Sequence, residues 1–191
     1  MKSAEICLAP GVIFDGTKHE YWYNGKQLSG ITGVLSKKLG LKNSNEFTGE
    51  HQEEEIHVHK AVQKWIETGD SGSVHPGVQW VVEVLDTLKK EVCFFSEVLV
   101  SDFKKYASPV DIVYVTLSGK KALNIADLKT GKFNRDYATW QLSIYKYLIE
   151  KYSDWDVNEC TVLCFQDKEA YPIVSKDAVQ VEKLLYGLST M

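Results

Sequence analysis

Residues 110–129, VDIVYVTLSGKKALNIADLK, decide the fold of this chain. Two runs rich in β-branched and apolar residues, 110–117 and 122–129, flank the turn-forming residues 118–121, which predicts two strands joined by a turn. Residues 92–100, VCFFSEVLV, predict a third strand before them. Because the connections are short, we expect the three strands to form an antiparallel meander.

Helices and further strands surround the predicted meander. A long helix is expected at 135–152, and a buried strand at 160–166 follows it. The remaining predicted elements are a hairpin over 19–29 that turns at Asn24-Gly25, helices over 31–39, 52–68, 76–90 and 177–188, a loop over 41–51, and a strand over 170–174. This order predicts the α/β (α+β) class, with a central mixed sheet that contains the antiparallel three-stranded meander and is flanked by helices. We expect a single domain over 1–191, with about 1–50 as an N-terminal elaboration.

The composition is that of a soluble globular protein, with 44% hydrophobic and 25% charged residues. No apolar run approaches the roughly 18 residues that a membrane span needs, and the N-terminus lacks the apolar region of a secretory signal. The four cysteines form no CxxC pair, so neither a disulfide framework nor a zinc site is predicted. We therefore expect a cytoplasmic protein without a membrane partner.

The net charge of −4 argues mildly against a nucleic-acid partner, because DNA-binding domains are commonly basic. The charge is unevenly distributed, however. Residues 104–135 contain seven basic and two acidic residues, Asp111 and Asp127, whereas residues 46–55 contain five glutamates and no basic residue. Attraction of phosphate depends on the local field, so the basic segment keeps nucleic acid among the candidate partners.

Two acids and a lysine are the candidate catalytic residues. Asp111 opens the second predicted strand, and Asp127 and Lys129 share one face near the end of the third, because side chains alternate along a strand. Charged groups at the end of a buried strand are costly unless they are paired or bound to a metal, and oxygen ligands suit Mg²⁺ or Mn²⁺. A lysine beside the metal can orient water. The competing interpretation is an Asp-Lys surface pair on an edge strand.

Two helices contribute further candidates. Gln141 and Tyr145 are four residues apart and share a helix face, where they could bind a nucleotide or simply pack in the core. His59 lies on the apolar face of the 52–68 helix, between Ile56 and Val62. It is either a metal ligand or a core histidine with satisfied hydrogen bonds.

Four motifs in chain order resemble the PD-(D/E)XK nuclease superfamily. They are a histidine on a helix, an aspartate on a strand, a D-x-K run on the next strand, and Q-x-x-x-Y on the following helix, carried here by His59, Asp111, Ala126-Asp127-Leu128-Lys129-Thr130-Gly131, and Gln141 with Tyr145. They look most like the RecB-type branch, which includes RecB nuclease domains and phage-type DNA exonucleases. The resemblance spans about residues 55–152 and implies a restriction-endonuclease-like core.

The resemblance also implies a role for each matching position. Asp111 and Asp127 would bind Mg²⁺ or Mn²⁺, and the Leu128 backbone carbonyl would complete the set of ligands. His59 would be the additional ligand of the RecB-type branch. Lys129 would be the catalytic lysine.

The other implied roles are less specific. Gln141 and Tyr145 would contact DNA or buttress the site. Glu97 matches a further acid of some members, and it would either bind a second metal or be an exposed strand residue. The basic residues expected to bind DNA are Lys120, Lys121, Lys132 and Arg135.

The chain departs from the family pattern at two positions without losing a ligand. Glu55 stands where the family often has a small residue before the histidine. Residues 108–110, SPV, precede Asp111, where the family commonly has a glycine two or three positions before the aspartate. Some RecB-type relatives hold an iron–sulfur cluster on four cysteines, but the cysteine spacing here predicts no cluster.

The leading hypothesis is a Mg²⁺- or Mn²⁺-dependent deoxyribonuclease. Exonuclease action at DNA ends, in recombination, repair or phage DNA processing, fits the resemblance best. The resemblance also allows a single-strand annealing protein as partner and a ring-shaped homo-oligomer. One alternative is a non-catalytic nucleic-acid-binding or assembly protein on the same fold. Another is an unrelated metal hydrolase of small molecules, which predicts a closed pocket in place of an open groove.

Overall fold

A mixed sheet with helices on both faces forms the framework of the molecule. The computed structural model describes residues 6–42, 49–116 and 121–187 and, in the second helix, side chains from residue 53 onward. The strands are β1 (Val12–Asp15), β2 (Glu20–Tyr23), β3 (Lys26–Gly30), β4 (Val92–Ser101), β5 (Tyr106–Thr116), β6 (Ala122–Lys129), β7 (Asp156–Cys164) and β8 (Glu169–Pro172). The helices are α1 (Ile31–Leu39), α2 (Gly49–Thr68), α3 (Pro76–Leu88), α4 (Arg135–Tyr152) and α5 (Ala178–Tyr186). The protein therefore has an α+β fold.

Strand β5 organises the eight-stranded sheet. The strand order is β1-β2-β3-β5-β6-β7-β8, and β4 pairs with the opposite edge of β5. The β4–β5 and β5–β6 pairs are antiparallel, which confirms the predicted meander. The β3–β5 and β6–β7 pairs are parallel, so the sheet is mixed, as predicted.

Two apolar clusters lie on the two faces of the sheet. Helices α1, α4 and α5 pack on one face, where Leu142 of α4 meets Ile125 of β6. Helices α2 and α3 pack on the other face, where Val62 of α2 meets Leu128 of β6. Ile125 and Leu128 differ by an odd number of positions, so the alternation of side chains along β6 places them on opposite faces. The meander is thus covered on both sides.

The N-terminal hairpin forms as predicted and joins the central sheet. Asn24 and Gly25 both adopt positive φ angles, 49° and 78°, which the tight two-residue turn requires. Ser29 of β3 pairs with Tyr106 of β5, so the hairpin extends the sheet. Strand β1 was not predicted, because its four residues are too short a run to show a period.

Several predicted boundaries need correction. The segment 41–51 was expected to be a loop, but α2 already begins at Gly49, and 43–48 lie outside the described residues. Residues 49–51 thus extend the predicted 52–68 helix at its N-terminal end. Strand β5 begins at Tyr106, four residues before the predicted start. Strand β7 begins at Asp156 because its first half alternates exposed and buried residues, and the prediction relied on the continuous apolar run alone.

Two further sequence expectations concern membrane spans and cysteines. No helix in the described ranges is both long enough and apolar enough to cross a membrane. Cys160 and Cys164 on β7 are buried free thiols, as the sequence indicated.

Candidate metal centre

The candidate site lies where β5 and β6 separate. The two strands pair from Ile112 to Val115 of β5, whereas Asp127 and the two residues after it pair only with β7. Asp111, just before the paired stretch, bridges the gap with its side chain, since its Oδ2 accepts a hydrogen bond of 2.8 Å from the Leu128 backbone N–H. The Asp111 carboxylate thus accepts a hydrogen bond that a backbone carbonyl would accept in a regular sheet, and it links the two strands.

The side-chain alternation of β5 reverses at Asp111. Val110 and Ile112 are two residues apart and should share a face, yet they belong to the apolar clusters on opposite faces of the sheet. Glu97 and Asp111 both fall in the gap of the β4–β5 register between the pairs Ser96–Ile112 and Val98–Val110, and Glu97 has a φ of 51°. Such a left-handed residue inside a strand is strained and often marks a functional site. The reversal brings both acidic residues to one place in the sheet.

Helix α2 places His59 beside these acids. Val58, Val62 and Trp65 are buried against the sheet and fix the orientation of the helix. His59 Nδ1 lies 3.7 Å from Asp111 Oδ1, while its Nε2 is buried and has no hydrogen-bond partner among the described residues. A buried nitrogen without a partner is costly, which favours the ligand role for this imidazole over that of a core histidine with satisfied hydrogen bonds. The helix face differs from the prediction in one respect, because Ile56 is 47% exposed.

His59, Glu97 and Asp111 form a cluster of potential metal-binding groups. Each offers one ligand atom, and these atoms all lie within 4.8 Å of one another. The two carboxylates are donors suited to Mg²⁺ or Mn²⁺, whereas an imidazole is a more typical donor to transition metals. The arrangement favours the ligand role for Glu97 over that of an exposed strand residue, because Glu97 is partly buried.

Asp127 and Lys129 form a buried ion pair beside this cluster. Asp127 is 2% exposed, and its Oδ2 lies 2.6 Å from Lys129 Nζ. This oxygen nevertheless has no aligned hydrogen bond within the described part of the chain. Burial raises the pKa of Asp127 to about 6, although the charge of Lys129 opposes the shift. Burial acts to lower the pKa of Lys129, but the carboxylates of Asp127 and Asp111 raise it above its ordinary value, which favours the charged form of the lysine.

The carboxylates of Glu97, Asp111 and Asp127 repel one another. Burial raises the pKa of Glu97 to about 7, and the negative charges of Asp111 and Asp127 add to the rise, while His59 opposes it. Three carboxylates in a partly desolvated site favour proton uptake, and a bound divalent cation relieves the same repulsion. The electrostatics of the site therefore favour a cation.

Gln141 and Tyr145 lie behind the ion pair, on the face of α4 that packs against the sheet. Lys129 Nζ donates to Gln141 Oε1 over 3.4 Å, and Gln141 Nε2 donates to the Tyr145 hydroxyl over 2.9 Å. Gln141 is only 6% exposed and Tyr145 only 3%. Of the two expected roles, contact with DNA or support of the site, the burial and the contacts favour support.

The basic residues are not gathered around the site as their sequence positions suggested. Lys132 and Arg135 are exposed and follow β6 on the side of the site. Lys121 precedes the opposite end of β6, roughly 26 Å from Lys129 at the usual rise of a strand, and it pairs with Asp154 over 3.3 Å. Its expected DNA contact therefore lies away from the site. Lys120 lies outside the described residues.

Two features near the site could hardly be predicted from local sequence patterns. Ser108, noted only as a departure from a family glycine, lies with its hydroxyl 3.2 Å from that of Tyr145. A cavity of about 770 Å³ lies beside Glu97, between β4 and the segment 6–12, with Ile66 and Glu67 of α2 also lining it. Segment 6–12 has no regular period, so its position next to β4 could not be predicted.

No protein-family model matches the chain, and a search of curated proteins returns no significant match. The functional interpretation therefore depends on the residues and their geometry.

Proposed function

We propose that this protein is a divalent-metal-dependent deoxyribonuclease of the PD-(D/E)XK superfamily, with a restriction-endonuclease-like core. Within that superfamily we propose a RecB-type exonuclease that hydrolyses phosphodiester bonds at DNA ends. The observation that carries the proposal is the convergence of His59, Glu97 and Asp111, within 4.8 Å of one another, beside the buried Asp127–Lys129 pair. These residues come from three strands and a helix, and a surface Asp-Lys pair does not account for their meeting.

Two unsatisfied atoms support a cation at this place. His59 Nε2 and Asp127 Oδ2 are buried without aligned hydrogen-bond partners in the described ranges, and an ion between the acids would satisfy such atoms. We propose that His59, Asp111, Asp127 and the Leu128 carbonyl hold Mg²⁺ or Mn²⁺. Glu97 is positioned to serve as a further ligand or to help bind a second ion.

The side chains around the proposed cation each have a role in the proposed hydrolysis. A bound divalent cation supplies Lewis acidity and lowers the pKa of coordinated water. Lys129 is placed by Asp127 to orient the attacking water and to offset the negative charge that develops on the phosphate. Gln141 limits the freedom of the Lys129 ammonium through the 3.4 Å hydrogen bond.

Cleavage assays with an isosteric variant test the proposal. Linear and closed circular DNA, single- and double-stranded, are incubated with Mg²⁺, Mn²⁺ or EDTA. We expect metal-dependent digestion of linear DNA, and a loss of at least about 100-fold in Asp127→Asn, because a ligand and the partner of the lysine are removed together. Asp154→Asn is the matched control, because Asp154 is exposed and lies beside Lys121, away from the site.

Each part of the proposal has its own contradicting result. Cleavage that survives Asp127→Asn or EDTA would contradict the metal mechanism. Equal digestion of circular and linear DNA would contradict exonuclease action, but it would leave the metal mechanism intact. Binding of DNA without cleavage under any divalent ion would favour the non-catalytic alternative. The annealing-protein partner and the ring-shaped oligomer stay predictions from the resemblance.

The cavity beside Glu97 favours a second candidate, a metal-dependent hydrolase of small phosphodiesters. Its volume of about 770 Å³ is within the range of small-molecule sites. Metal-dependent hydrolysis of bis(p-nitrophenyl) phosphate by a protein that leaves all DNA intact would support this candidate over the nuclease.

A further inference from the structure

A buried series of polar side chains runs from the catalytic site to the N-terminal hairpin. It consists of Lys129, Gln141, Tyr145, Ser108 and Tyr21, and we call it the lysine relay. Gln141 links Lys129 to Tyr145 through the two hydrogen bonds described above. The Tyr145 hydroxyl then lies 3.2 Å from the Ser108 hydroxyl. All five side chains are at most 8% exposed, so water does not compete strongly for these bonds.

The hydrogen bonds of the relay all point in one direction. An ammonium group only donates, so the Gln141 carbonyl oxygen must face Lys129 and its NH₂ group must face Tyr145. The Tyr145 oxygen thereby accepts a hydrogen bond, which leaves its O–H to donate to Ser108. Burial holds the pKa of Tyr145 well above its ordinary value, so this proton is retained.

Ser108 continues the relay to the hairpin. Burial raises the pKa of Tyr21 to about 12, and a hydrogen bond from the Ser108 hydroxyl acts against that rise. With the Tyr145 O–H assigned to Ser108, the Ser108 hydroxyl proton is left to point toward Tyr21. The Tyr21 hydroxyl lies 3.4 Å from Nε2 of His19, an exposed residue in the turn between β1 and β2. Tyr21 itself packs with Leu28 and Ala107, which ties β2 and β3 to β5.

The direction of these hydrogen bonds determines how well the position of the Lys129 ammonium is defined. If Ser108 lost its hydroxyl, the Tyr145 O–H would have no acceptor in the relay and could turn toward Gln141, whose NH₂ group cannot accept it. The amide of Gln141 would then be free to rotate, and Lys129 Nζ would lose its second fixed contact. Asp127 would still attract the ammonium, but at a less defined position.

We infer that Ser108 is a positioning residue, which holds the Lys129 ammonium in place through Tyr145 and Gln141 and is itself held by Tyr21 of the hairpin. The inference rests on the proposed function for its effect on catalysis. It gives the hairpin a role in the chemistry, although the hairpin lies outside the segment that resembles the nuclease family. It also gives a reason for serine where that family commonly has glycine.

Steady-state kinetics on linear DNA with Mg²⁺ test the catalytic effect. We expect Ser108→Ala to lower kcat by roughly threefold to tenfold, the usual range for one lost hydrogen bond, with KM unchanged. Ser108→Thr keeps the hydroxyl and should restore kcat to within about twofold. Tyr145→Phe should lower kcat as Ser108→Ala does, and the double variant should be no worse than Tyr145→Phe alone. Ser143→Ala is the matched control, because Ser143 is a buried serine of α4 that bonds to Thr139 and Lys176 and not to the relay.

A second measurement does not depend on activity. The ¹⁵N NMR signal of the Lys129 ammonium in the metal-free protein should show slow proton exchange, and Ser108→Ala should speed that exchange at least about threefold. If wild-type protein cleaves no DNA, the proposed function fails while this measurement still tests the relay. Unchanged exchange and a kcat within twofold in Ser108→Ala would overturn the inference. Tyr21→Phe with full kcat would overturn the part played by the hairpin.

Discussion

At the scale of single residues, Glu97 combines backbone strain with electrostatic repulsion. Its φ of 51° is unfavourable for a residue with a side chain, and burial together with Asp111 raises its pKa to about 7. The folded state therefore binds this proton more tightly than the unfolded chain does, for which the pKa is near the ordinary value of 4.5. The stabilisation from the bound proton is fully present below that ordinary value and is lost as the pH rises through about 7.

Glu97→Gln should accordingly stabilise the metal-free protein at high pH. We expect the free energy of unfolding at pH 8 to rise by about 1–2 kcal/mol, a figure reduced for partial exposure, and the gain to vanish near pH 5. Urea unfolding in the presence of EDTA at the two pH values measures this change in the free energy of unfolding. The exposed Glu83→Gln on α3 is the control. An equal gain in both variants, or a gain at pH 5 as large as at pH 8, would contradict the assignment of repulsion to Glu97.

Individual site residues were predictable to different degrees. Asp127 and Lys129 could be identified because the period of a strand alone places them on one face, and the structure pairs them over 2.6 Å. Ser108 could not, because its hydroxyl acquires a role only when α4 packs over β5. The position of Glu97 depends on a left-handed backbone conformation inside a strand, and no local sequence pattern predicts such a conformation.

At the scale of secondary structure elements, α3 packs closely against the sheet at its first turn. A Cβ added to Gly77 would lie 2.5 Å from a ring carbon of Phe165, and Gly77 is buried. His75 caps the same turn by accepting the Gly77 backbone N–H over 3.1 Å. The helix therefore needs glycine here for close approach, not for a special φ.

Gly77→Ala should destabilise the protein. We expect a loss of about 1–3 kcal/mol in the free energy of unfolding, because the ring of Phe165 or the helix must move. Gly33→Ala is the matched control, since Gly33 is also helical but has nothing within 4 Å of the added carbon. That variant should be neutral or should stabilise by up to about 1 kcal/mol through helix propensity. Thermal or urea unfolding compares the two, and equal effects would contradict the packing argument.

Element types were easier to predict than their pairing. Helix α4 begins and ends at its predicted residues because a regular apolar period runs through it and Asn134 caps its N-terminus. The parallel β3–β5 pair comprises only two register pairs between distant segments, and no sequence pattern encodes such a contact. Tertiary packing decides it.

At the scale of the whole molecule, metal binding should be coupled to stability. The site residues come from α2, β4, β5 and β6. A cation held there would therefore link one helix to three strands of the sheet, at the point where β5 and β6 separate. With Mg²⁺ at about 100 times its Kd, we expect stabilisation of about 2.7 kcal/mol and a rise in Tm of roughly 5–10 °C.

Two histidine variants of α2 check this coupling by differential scanning calorimetry. His59→Gln should lose most of the Mg²⁺-induced rise in Tm. His57→Gln should retain it, because His57 bonds to Ser73 away from the acids. A rise that is the same in both variants would exclude His59 as a ligand.

The N-terminal segment has a consequence beyond the cavity that it borders. Strand β4 is ten residues long and pairs only with β5 within the described chain, so its other edge carries backbone groups able to accept a foreign strand. Residues 6–12 and β4 line the same cavity, and Leu8 is buried at 3% exposure. Because this short segment lies next to β4, we expect a chain trimmed back to Gly11 to leave the strand more accessible as a template for intermolecular β-sheet.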